Sequence, residues 1–102
     1  MKFTIPIYNI PVVVLYKPTD KELSKYDIEL HWEAMTRYTS YNGKAHILMV
    51  FTKSPSVGLL AHECLHAVKD VFHTIGHTTS EDHEEETYLL EYLVNEVNKC
   101  LK

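Results

Sequence analysis

Apolar positions in the second half of the chain recur at helical spacing. With His62 set at 0° and about 100° per residue, Val57, Leu60, Ala61, Cys64, Leu65, Ala67, Val68, Val71, Phe72 and Ile75 fall between about 140° and 300°. The pattern predicts an amphipathic helix over about 55–75. Ser54-Pro55-Ser56 supplies an N-cap serine with proline at the first helical position, and Gly76 supplies the stop. A second helix is expected over about 81–100, opened by Ser80-Glu81-Asp82, with Asp82 and Glu85 placed for a capping-box-like pair. Leu90, Leu93, Val97 and Leu101 form its apolar stripe, all within about 60° of Glu86.

The first half reads as strands and turns. Phe3 to Tyr16 is dense in Ile, Val and Tyr with two prolines, which suggests an edge strand and a second strand, or one bent strand. Thr19-x-x-Glu22 is a capping box for a short helix near Asp20 to Tyr26. Ile28, Leu30 and Trp32 alternate with Glu29, His31 and Glu33, a half-buried strand pattern. Met35–Ser40 and Ala45–Thr52 flank Tyr41-Asn42-Gly43-Lys44, and Asn-Gly is a strong hairpin signal because both residues tolerate positive φ. His31 and His46 fall in these strands as surface or pairing residues. Together the elements predict a small α+β domain, residues 1–102, with a three- or four-stranded, largely antiparallel sheet packed on two helices.

Composition narrows the setting. With 45% apolar and 24% charged residues, the chain has the make-up of an ordinary globular domain. A net charge of −4 and the lack of a Lys/Arg cluster argue against nucleic acid as a partner. No stretch is long and apolar enough to span a membrane. The N-terminus lacks a small-residue cleavage site, so it reads as strand rather than signal peptide. Two cysteines without a signal, Cys64 and Cys100, read as reduced thiols in a cytoplasmic protein.

The chemistry sits in His62-Glu63-Cys64-Leu65-His66, an H-E-x-x-H motif on the polar face of the predicted helix. Two His four apart project from one face, so both imidazoles can reach one Zn²⁺ ion. Glu63, rotated about 100° from His62, borders the pair as a general base for activated water. A third ligand is needed to complete such a site. Glu86 is the first candidate, because it carries a carboxylate on the core-facing stripe of the second helix, where an uncompensated charge is costly. A cap or a buried salt bridge is the plainer explanation of Glu86. His83 shares that stripe and competes for the role. His73 shares the face of His62 and His66 but lies about 10.5 Å along the helix from His66, too far for the same ion. His77 is expected in the interhelix loop. His83, Tyr88 and Tyr92 are the candidates for steadying an oxyanion. Gly58, one turn before His62, leaves room for a backbone, a ligand or a packing neighbour.

With His62-Glu63-x-x-His66 followed by Glu86 opening another helix, the chain resembles the gluzincin branch of zincin metallopeptidases, at the size of minigluzincins. The run from Leu60 through Ile75-Gly76 to Glu84-x-Glu86-x-Tyr88-Leu89 is also similar to small H-E-x-x-H proteins of phages and prophages. The resemblance covers roughly residues 54 to 95. It implies a zincin-like fold, His62, His66 and Glu86 as zinc ligands, Glu63 as base, and a peptide or protein as substrate. Many gluzincins carry Asp four residues after the ligand Glu; here Leu90 stands there. By the same analogy, the Ala45–Thr52 strand beside the active-site helix would pair with an extended substrate. A catalytically inactive binding or assembly protein, with zinc tying the two helices, is the alternative, and a metal-free structural module is another.

Overall fold

The computed structural model describes residues 1–76 and 84–102, with the Glu84 side chain left out. Four strands, β1 (Lys2–Ile5), β2 (Ile10–Tyr16), β3 (Ala34–Tyr41) and β4 (Lys44–Phe51), form one sheet in the order β1-β2-β4-β3. Among the described residues there are three helices: α1 (Asp20–Lys25), α2 (Val57–Ile75) and α3 (Glu84–Cys100). The domain is therefore α+β, but its sheet is mixed rather than antiparallel. β1–β2 and β3–β4 pair antiparallel, while β2 and β4 pair parallel, with Val12 opposite Ile47 and Tyr16 opposite Phe51. The chain leaves β2, passes through α1 to β3 at the far edge, and turns back through the hairpin so that β4 fills the middle. β4 is suited to that place: Ile47 through Phe51 are fully buried on both faces, as strands covered on two sides are.

Local signals set most element ends. Thr19 and Glu22 make the capping box of α1 in both directions. Asn42 and Gly43, at φ 53° and 76°, turn the β3–β4 hairpin, and Gly76, at φ 70°, closes α2 in the left-handed conformation. The α2 cap is Ser56, whose hydroxyl accepts from the Leu59 N–H at 3.1 Å. The sequence points to Ser54 as the cap with Pro55 at the first helical position; instead Pro55 directly precedes the Ser56 cap, and the helix starts at Val57. Pro11 falls in interior strand β2 rather than at an edge. It opposes Thr4 of β1, and the parallel ladder to β4 begins only at Val12, so its missing N–H disrupts no pairing.

The alternation of Ile28, Leu30 and Trp32 does not make a strand; residues 28–33 run between α1 and β3 without regular structure. Ile28 alone is buried, whereas Leu30 and Trp32 are exposed. A guanidinium N–H of Arg37 donates to the carbonyls of Tyr26 at 2.7 Å and Asp27 at 3.2 Å, which ties the start of this segment to β3 from below.

The sheet carries apolar side chains on both faces. Val12, Val14, Ile47, Met49 and Phe51 meet Leu60, Cys64, Ala67, Val68, Val71 and Phe72 of α2 and Leu89, Leu93, Val97 and Leu101 of and after α3. Val13, Leu15, Leu48 and Val50 are covered on the other face by Ile28, Leu23 and Tyr26. Val57, Leu65 and Ile75, expected on the core arc of α2, are exposed, because they lie at the ends or the margin of the stripe. His46 is buried rather than at the surface: its ring packs edge-on to Tyr26, and Nδ1 stands 3.3 Å from the Lys44 carbonyl. No helix among the described residues is long and apolar enough to cross a membrane.

Candidate active site

The core stripe of α2 seats the helix against the sheet and leaves His62 and His66 facing outward, one turn apart, both exposed. Their Nε2 atoms converge to 3.2 Å, with ring planes at 86°. As a hydrogen bond this contact requires one Nε2 to donate and the other to accept. As a chelate it has the right span: at metal–nitrogen lengths of roughly 2.0–2.1 Å, such a separation subtends about 100–105°, close to tetrahedral.

Glu63 turns the other way, toward β3, and is 5% exposed. Its Oε1 accepts from the Thr36 hydroxyl at 2.6 Å, and its Oε2 lies 4.0 Å from His62 Nε2. Thr36 thus fixes one carboxylate oxygen and leaves the other toward the imidazoles. Sequence reasoning missed Thr36. Its only linear signal is an even position on β3, the side of the strand that faces α2.

Histidines and carboxylate open onto a cleft of about 420 Å³ between α2 and the 32–36 segment, lined also by Trp32, Glu33, Ala34, Met35 and Leu59. Glu33 is paired with Lys53 at 2.8 Å on the rim. The strand beside the cleft is β3, not β4. β4 has both edges paired, which removes it as a site of strand addition. The Thr52 N–H donates to the Glu33 carbonyl at 2.9 Å; with the hairpin register, this puts the backbone groups of Ala34, Thr36, Tyr38 and Ser40 on the outer edge of β3.

Glu86 lies across the α2–α3 interface. Both its carboxylate oxygens stand 3.2 Å from Lys69 Nζ, with the Glu86 side chain 15% exposed and Lys69 57% exposed. The salt bridge therefore supplies the compensation that burial demands. Among the described residues, no group of three or more His, Cys, Asp and Glu is disposed to hold a metal ion. The structure brings His62, His66 and Glu63 together and leaves Glu86 on Lys69, one turn beyond His66.

The auxiliary candidates separate. His73 is exposed near the end of α2 and contributes to the electrostatics of Asp70. Tyr88 and Tyr92 line a different groove, of about 310 Å³, with Ile5, Pro6 and Ile7, and so cannot serve the histidine cleft. His77, His83 and Asp82, and with Asp82 the expected pairing to Glu85, lie outside the described residues. A Cβ at Gly58 would meet only Ser56 Oγ at 4.0 Å, so no packing neighbour requires glycine there.

Two titrations bear on the helix. Burial, helped by the neighbouring Glu63 charge, pushes the Cys64 thiol up to about 12. Burial also raises the Asp70 carboxyl above its ordinary value, against opposing pulls from His66 and His73. Compared with known proteins, the chain matches no family model, no curated protein and no solved structure.

Proposed function

We propose that the chain is a metal-dependent hydrolase of the zincin type, acting on peptide bonds, with His62 and His66 as ligands, Glu86 as third ligand and Glu63 as base. One observation carries the reading: two exposed Nε2 atoms 3.2 Å apart at the mouth of a cleft, with a buried carboxylate beside them whose oxygens are differentiated by Thr36. A bound Zn²⁺ would supply Lewis-acid polarisation of the scissile carbonyl and make water acidic near neutral pH. Glu63 Oε2 would take the proton from the attacking water and pass it to the leaving amine, while Thr36 holds Oε1. The outer edge of β3 would align an extended peptide along the cleft.

Glu63→Gln keeps shape and hydrogen bonding but removes the base. On a pool of unstructured peptides, the zinc-loaded parent is expected to cleave and the Gln variant to bind zinc without cleaving. Equal cleavage by the two would sink the mechanism. A second reading has its own support in the Lys69–Glu86 pair: with the carboxylate so engaged, the chain is a binding or assembly protein in which no turnover occurs. Zinc binding with no cleavage by the parent would favour it.

A further inference from the structure

Three lysines far apart in sequence meet on the side of the sheet away from α2. His46 precedes Leu48 by two residues in β4, so it shares the face of Leu48 and Val50, opposite to the side of His62 and His66. It sits in the wall of a groove of about 150 Å³, with Lys2 of β1, Lys44 at the start of β4, and the rings of Tyr26 and Tyr41. Lys25 Nζ stands 5.3 Å from the centre of the Tyr26 ring and 5.2 Å from that of Tyr41. Among the described residues no Asp or Glu lines the groove, and none of the three lysines is in an ion pair. His46 is 5% exposed, its Nδ1 lies 3.3 Å from the Lys44 carbonyl, and its Nε2 meets no hydrogen-bond partner among the described residues. A buried polar atom left in that state calls for a partner.

We propose that this groove is a binding site for a phosphate group, with His46 as the polar group at its base and Lys2, Lys25 and Lys44 supplying the charge. With Nδ1–H donating to the Lys44 carbonyl, Nε2 of the neutral ring carries a lone pair and needs a donor. The lysines, for their part, favour an anion. A phosphate answers both. Its oxygens accept from the ammoniums, and with a second ionisation at about 6 it still has a proton to share with the imidazole near neutral pH. Sulfate and carboxylate ions bring no such proton. Nε2 is covered, so the ligand reaches it as Tyr26, whose ring stands edge-on to the imidazole at 5.9 Å, turns aside. The site uses no residue of the hydrolase reading and stands or falls apart from it.

Backbone amide NMR shifts of the full chain test this, titrated at pH 7 and constant ionic strength with sodium phosphate, phenyl phosphate and sodium sulfate. Phosphate is expected to move the signals of Lys2, Tyr26, Lys44 and His46 saturably, and to bind at least about threefold more tightly than sulfate. Tighter binding of phenyl phosphate than of the free ion would assign the site to an ester whose body lies on the tyrosines; otherwise inorganic phosphate is the ligand. Lys2→Met combined with Lys44→Met should weaken phosphate roughly three- to tenfold, and His46→Gln by about tenfold. Lys53→Met, at a lysine paired with Glu33, is the control for net charge and should change nothing. Sulfate binding as well as phosphate, no saturable shift in these signals, or an equal loss in Lys53→Met would each overturn the site. A folded His46→Gln that binds like the parent would do so as well. Should that variant fail to fold by circular dichroism, the lysine variants and the sulfate comparison decide.

Discussion

The Thr36 hydroxyl donates to Glu63 Oε1 at 2.6 Å, joining the edge strand of the sheet to the H-E-x-x-H helix across 27 positions of sequence. This bond satisfies a carboxylate that is almost wholly buried, and it fixes which oxygen faces the imidazoles. Removing it is expected to cost about 1–3 kcal/mol, the range for orphaning a buried acceptor. Thr36→Val should lower the urea midpoint accordingly, and Thr36→Ser should restore most of the loss. If valine is tolerated without change, Glu63 is not held as described.

Gly58 lies in the first turn of α2, where helix propensity is lost to no visible purpose. Its Cβ position is open and it is not at positive φ. Gly58→Ala should stabilise the fold by about 0.5–1 kcal/mol, read as a rise in thermal midpoint. A destabilised alanine variant would show that something outside the chain approaches this turn.

Cys64 is expected to be inert. The thiolate is the reactive form, and with the thiol pushed up to about 12 its fraction at pH 8 is on the order of one in ten thousand. In a Cys100→Ser background, a disulfide reagent at pH 8 should leave Cys64 unmodified for as long as the protein stays folded, and label it at once in guanidinium. Rapid labelling of the native protein would contradict its burial.

Asp70 makes stability depend on pH in a direction opposite to most carboxylates. Its folded pKa is raised, so the folded chain binds the proton more tightly than the unfolded one, and stability falls as pH rises through that window. Above the raised value the full penalty is present; below the ordinary carboxylate range it is gone. Asp70→Asn should therefore stabilise the protein at pH 7 and by progressively less as pH falls toward 4. A benefit that grows with acidity would reverse the assignment. Because Asp70 is partly exposed, the effect should be small.

Much of this fold is written locally. Thr19 and Glu22, Asn42 and Gly43, and Gly76 each act through neighbours within a turn, and the elements they bound are where the residues place them. The parallel pairing of β2 with β4 is not local, although the unbroken apolar runs Val12–Leu15 and Ile47–Phe51 signal strands buried on both faces. The Ile28–Trp32 alternation misleads because period two records only which residues are apolar. Arg37 and the burial of Ile28 alone settle that segment. At the site, helical spacing made the convergence of His62 and His66 legible. Which cation would answer Glu86 was a tertiary matter that a wheel drawn for one helix cannot contain, and Thr36 belongs to another element altogether.

The convergence of the two imidazoles on one ion is the central claim, and counting that ion tests it most directly. Native mass spectrometry of the full chain with Zn²⁺ should show one zinc per molecule in the parent and in Glu63→Gln, and none held in His62→Ala or His66→Ala at the same free zinc. Equal zinc in parent and histidine variants, or none in any of them, would contradict the account.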